Sequence, residues 1–279
     1  MRIHAGNALV EQHDSDRPNT PRNPAPAVPS TSPVPPGAPA ADGWSVRRAS
    51  TTAGAALLAM SALAGFGYVF AVQGLVTSAD PGQTGHDILA SQGLFRIGIV
   101  SLVVVVALDV VVAWALYRVF SPVNQSLSML AAALRLVYAG VFMVAIGHLL
   151  AALHLITGTG SPSAFTGEQL NVMAMREIST FNDIWSVGQL LFGLHLLVVG
   201  YLALRSGYVP RLIGALLLIA GLGYSADSLG TILSTGSWTN ISTYTFLGEF
   251  LLALWLLIHA RHIDNARLKP TASPAIKTP

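Results

Sequence analysis

"LVVVVALDVVVAWAL", residues 102–116, is valine, leucine and alanine with one charged residue, Asp109. The mostly apolar run around it extends from about residue 94 to 118. A bilayer core takes about 20 mostly apolar residues to cross as a helix, so this run is long enough to span. In water Asp109 would turn outward. In lipid nothing solvates it, and a charge at the helix centre costs about 2.5–3.5 kcal/mol on insertion scales unless it is paired inside the bundle.

The rest of the chain settles which solvent applies. Of 279 residues, 52% are hydrophobic and only 10% are charged, against about 25% charged in soluble domains. Five further apolar stretches join the first, giving six in all: roughly 52–76, 94–118, 127–157, 181–204, 210–233 and 241–262. They are continuous, without polar–apolar alternation, which favours helices over barrel strands. The first is too long and too far from the start to be a signal peptide. The expected fold is therefore all-α: a polytopic bundle of six membrane helices spanning residues 49–263. A Pro/Ala-rich segment, residues 1–48, and a short basic one, 264–279, lack the apolar side chains to fold and read as disordered tails. No internal repeat is evident.

Arginine and lysine sort to one side. Arg47, Arg48, Arg118, Arg205, Arg211, Arg261, Arg267, Lys269 and Lys277 fall at alternate segment ends, while loops 77–93 and 234–240 have none and loop 158–180 has only Arg176. The positive-inside rule then puts both termini in the cytoplasm of a cytoplasmic-membrane protein.

The intramembrane polar residues form two expected groups. Asp109 and Arg135 lie at similar depth on consecutive antiparallel segments joined by a short turn, so they are expected to pair. The bland role of such a pair is a structural pin; the sharper one is a proton site. Nearer the outer face stand Glu249, Asp227, His148, Tyr224, Gln189 and Arg96, with Asp183 opposite Arg96 at the interface. Tyr224, Asp227, Ser228 and Thr231 make one helical stripe, Ser242, Thr245 and Glu249 a second, and Asn182, Ser186, Gln189 and Gly193 a third. Together they suggest a polar pocket open to the outside, with Glu249 and Asp227 accepting a cation or proton. The competing reading is a hydrogen-bonded core that orients the bundle. Gly54, Ala55, Ala59, Ser61, Gly65, Gly214 and Gly221 read as close-packing positions.

Two stretches, residues 88–141 and 192–229, carry a resemblance. Leu94 to Arg96, Asp109, Leu116 to Arg118, Pro122 to Asn124, Arg135, Phe192 to Leu196, Arg205 to Arg211 and Gly221 to Ser228 occur in the order of the bacterial domain-of-unknown-function 4386 family. The chain resembles that family over roughly residues 50–262. The resemblance implies a multi-helix membrane protein and no catalytic residues to carry over.

Other chemistry finds little support. With no cysteine, disulfides, thiolate metals and a cysteine nucleophile are excluded. His148 and His195 differ in depth by about 7–8 Å, a poor fit to two axial ligands on one iron. No metal, cofactor or nucleic acid is expected; the net charge is only +2. "GYSAD", residues 223–227, lacks the G-x-S-x-G order of a serine hydrolase. Two functions stay open: a small carrier or sensor binding a cation, proton or small molecule, and a non-catalytic scaffold stabilising a protein partner the sequence does not identify. No proline lies inside any segment, which speaks against broken, carrier-type helices.

Overall fold

The computed structural model describes residues 45–159, 165–234, 238, 241 and 247–267. These hold seven α-helices and no strand: α1 Val46–Ala64, α2 Pro81–Ala90, α3 Gln92–Phe120, α4 Gln125–Thr157, α5 Gly167–Ser206, α6 Arg211–Leu233 and α7 Leu247–Arg267. Five stretches are long and apolar enough to cross a membrane: Val46–Leu75, Gln92–Phe120, Gln125–Thr157, Gly167–Ser206 and Arg211–Leu233. A sixth apolar helix, Leu247–His259, is shorter. The chain thus has the make-up of a multi-pass membrane protein.

Several boundaries differ from those the sequence suggests. Most of the expected tail lies outside the described residues, but α1 already starts at Val46, where the Ser45 hydroxyl accepts from the Arg48 N–H. Likewise α7 continues through residues 264–267. The span expected at 181–204 is the second half of a 40-residue helix. Its first turn is held by a capping box, in which Thr166 Oγ1 accepts from the Gln169 N–H while the Gln169 side chain accepts from the Thr166 N–H. At 1.5 Å per residue α5 is about 60 Å long, twice a bilayer core of about 30 Å, and residues 167–180 of the expected loop 158–180 are helix. In the expected loop 77–93, Asp80 caps the Gln83 N–H and Pro81 opens the short helix α2, which packs on this extension with Gly85 against Asn171.

Tight turns return the chain at both ends. Gly158 and Gly207 close α4 and α5 with φ of 68° and 72°, a left-handed conformation that a side chain disfavours. Asn124 Oδ1 caps α4 by accepting from the Leu127 N–H, 3.0 Å.

The six long helices close a ring in the order α1, α3, α4, α5, α6, α7 and back to α1. Lipid tails are as apolar as leucine, so no hydrophobic drive joins such helices; close approach and polar contacts must. Small residues supply the approach. A Cβ on Gly54 would stand 2.7 Å from the Ala253 carbonyl on α7, and one on Gly221 2.7 Å from the Gly193 carbonyl on α5. Gly214 abuts Leu204, and Gly67 lies against the Gly98 carbonyl. Gly65 is different from its expected role: a Cβ there would meet nothing.

Two helix ends are irregular. After Ala64, α1 widens into a π-helical turn, Gly65–Phe70, in which the Ala71 N–H reaches back to the Phe66 carbonyl. At the other, Gly248 lies against the backbone of Leu216 and Leu217, near the basic end of α6. The first turn of α7 therefore packs low on α6, among the described residues.

Candidate functional site

Arg135 is the hub. Its side chain is 1% exposed and comes from the middle of α4. Nε donates to Asp109 Oδ1 on α3 over 2.8 Å, and Nη1 donates to Glu249 Oε1 on α7 over 3.2 Å. Nη1 also lies 3.2 Å from His195 Nε2 on α5, and Nη2 is 3.9 Å from the Met60 sulfur on α1. The guanidinium carbon sits 5.3 Å from the centre of the Phe192 ring. Five of the six ring helices thus meet on one guanidinium, and α6 joins through Tyr224, edge-on to Phe192 at 5.2 Å.

The partners fix the histidine's proton. His195 Nδ1 is 2.8 Å from the Ala131 carbonyl, which can only accept, so Nδ1 carries the hydrogen. Nε2 is then the acceptor for Arg135, and the ring is neutral. The cluster holds two carboxylates, one guanidinium and no other charge.

Above this floor lies a cavity of about 430 Å³. Asp109, Arg135 and Glu249 line its base. Its walls are aromatic: Tyr68, Tyr138, Phe142, Trp185, Phe192 and Tyr224. The rings brace one another, with Tyr68 edge-on to Trp185 at 4.6 Å and Phe142 stacked on Trp185 at 5.3 Å. Trp185 Nε1 donates to the Tyr138 hydroxyl over 2.9 Å, and the Tyr68 hydroxyl donates to Asn182 Oδ1 over 3.1 Å. Both irregular helix ends border the space. The π turn supplies Gly65, Tyr68 and Val69, and the first turn of α7 supplies Glu249 and Phe250. Val69 and Phe250 are 53% and 41% exposed, so the rim is apolar.

The residues singled out from sequence separate into groups. Asp109 and Arg135 are in contact, and Glu249 joins them instead of standing in an outer group with Asp227 and His148. Tyr224 and Gln189 line the same cavity. Asp227 does not: its Oδ1 accepts from Trp238 Nε1 at 2.9 Å and from the Ile241 N–H at 2.8 Å. His148 Nδ1 instead faces Glu177 Oε2 at 2.6 Å, away from the cavity. Arg96 is exposed, outside the lining, and makes no ion pair with Asp183. Ser228 ties α6 to α5 through the Val187 carbonyl, and Gly193 packs on Gly221. Ser242 and Thr245 lie outside the described residues. Among the described residues no cluster of metal-binding side chains occurs. Tyr68, Trp185 and Phe192 carry no polar signal that marks them in the sequence, and His195, which the sequence offers only as a poor haem ligand and within the F-G-L-H-L motif, is a partner of Arg135.

Residues 52–260 match the family described as "Domain of unknown function (DUF4386)", and the chain belongs to that family. It is also similar to an "Uncharacterized protein" of Archaeoglobus fulgidus, 33% identical over 172 residues, which are 62% of this chain and 89% of the relative. The likeness therefore reaches an archaeal protein as well as the bacterial ones the resemblance implied. No solved structure matches the chain.

Proposed function

We propose that this member of the DUF4386 family is a small carrier or sensor of the bacterial cytoplasmic membrane, with six spans, both termini in the cytoplasm and a ligand cavity open to the outside. One observation carries the reading. A cavity of about 430 Å³ sits within the 300–1,000 Å³ range of small-molecule sites, with aromatic walls and a few convergent charged groups. Membrane carriers commonly build such sites where helices are interrupted near the midplane. The π turn of α1 is an interruption of that kind, made without proline. The basic residues at the far ends of α3, α5 and α6 orient the cavity outward.

The non-catalytic scaffold is the second reading, favoured by how fully Arg135 is engaged by protein groups. A protein in proteoliposomes with Trp185 as its sole tryptophan separates the two. Under the carrier or sensor reading, acrylamide added outside quenches Trp185. If only a brominated lipid quenches it, the space is not water-accessible and the scaffold takes over.

A further inference from the structure

Resting on that reading of the cavity, we propose that its ligand is an organic monocation, an ammonium or similar onium group on a compact apolar body. The group is received by the carboxylate of Glu249 and the surrounding aromatic faces, with Asp109 adding its charge from beneath Arg135.

The charges set the sign. Asp109 and Glu249 bring two negative charges against Arg135 alone, because His195 is neutral by its contacts. Glu249 lies in the first turn of α7, where the helix dipole stabilises negative charge. Only its Oε1 is engaged; Oε2 has no partner among the described residues, and the side chain is 22% exposed. Glu249 lines the cavity with its side chain part-exposed, so its carboxylate is within reach of a ligand there.

An anion fits poorly. Arg135 spends Nε on Asp109 and Nη1 on His195 and Glu249, and one face is stacked on Phe192. Nη2 meets only the Met60 sulfur, but the side chain is 1% exposed and presents almost no surface to a carboxylate or phosphate. A hard metal ion also fits poorly, since calcium takes 6–8 oxygens and magnesium demands an octahedron. Here most of the surface is ring and aliphatic carbon. Aromatic faces attract an organic cation through their quadrupole, more strongly when water is displaced. The apolar rim at Val69 and Phe250 admits a ligand with an apolar body.

The test compares three probes of similar size on the purified sole-Trp185 protein in nanodiscs: benzyltrimethylammonium, neutral N,N-dimethylbenzamide and anionic phenylacetate. Trp185 emission reports occupancy. The cation is expected to bind most tightly, and Glu249→Gln to weaken it about tenfold or more while leaving the amide unchanged. Tyr224→Leu keeps every charge and serves if Glu249→Gln folds poorly. It should weaken the cation about threefold to thirtyfold, the span of a cation–π contact, and the amide less. Equal binding of cation and amide, tighter binding of phenylacetate, or indifference of the cation to both variants overturns the proposal. If acrylamide reaches Trp185 but no probe perturbs it, the cation proposal fails while the open cavity stands. If acrylamide does not reach Trp185, the cavity reading itself fails.

Discussion

Removing Arg135 should harm the fold more than removing Asp109, and the structure gives the order of magnitude. Arg135→Leu leaves Asp109, 1% exposed, without its counter-ion and takes from Glu249 its one engaged contact. Breaking a buried pair from one side costs about 3–5 kcal/mol. Asp109→Leu leaves Arg135 with Glu249 and His195, so the loss is one charge-assisted hydrogen bond, about 1.5–3 kcal/mol. The expected gap is roughly 1.5–2 kcal/mol in that order. In the double variant only Glu249 is left unpaired, and it already faces the cavity. Its loss should fall short of the sum of the singles by at least about 1 kcal/mol, as coupled neighbours do. An unfolded chain in lipid also shelters its polar groups, so the ranking carries more weight than the absolute values. Reversible unfolding in mixed micelles measures all three. Additive losses, or Arg135→Leu no worse than Asp109→Leu, would refute the hub.

Further expectations concern packing, the neutral histidine and topology. Gly221→Leu should block assembly of α5 on α6 and abolish the monodisperse peak in size exclusion, whereas Gly65→Ala, with open space at its Cβ, should leave it unchanged. His195→Leu removes the second hydrogen bond on the Ala131 carbonyl and strands an Arg135 N–H, costing about 1–3 kcal/mol in the same unfolding assay. Thr166→Ala removes the capping box and should fray the start of α5 at a cost of about 1 kcal/mol, seen as faster amide exchange there. Because the chain lacks cysteine, Gln83→Cys and Glu168→Cys should react with an impermeant thiol reagent from outside intact cells, and Ser126→Cys and Arg205→Cys should not.

How far the sequence led depended on the kind of signal. Long apolar runs announce spans because lipid leaves the backbone no alternative to helix. That rule says nothing of helix beyond the bilayer. The first half of α5 and all of α2 were read as loop, although Thr166 with Gln169 and Asp80 with Pro81 are local capping signals. Asp109 and Arg135 were legible as partners because a short turn fixes the depth of consecutive helices. Glu249 was not legible as their third member. Its depth was counted from an assumed helix start at residue 241, and α7 begins at Leu247, low against α6. The π turn has no proline to announce it, and the aromatic wall gathers residues from four helices, which only the ring order brings together.

The most direct test of a ligand site in the cavity is the rate at which an impermeant thiol reagent modifies Gly65→Cys. That position lines the space, and an added Cβ there meets no neighbour. The account predicts reaction from the outer side of sealed vesicles and not from the inner side, slowed at least several-fold by saturating benzyltrimethylammonium. No reaction from outside, or a rate that a cavity-sized probe leaves unchanged, would contradict it.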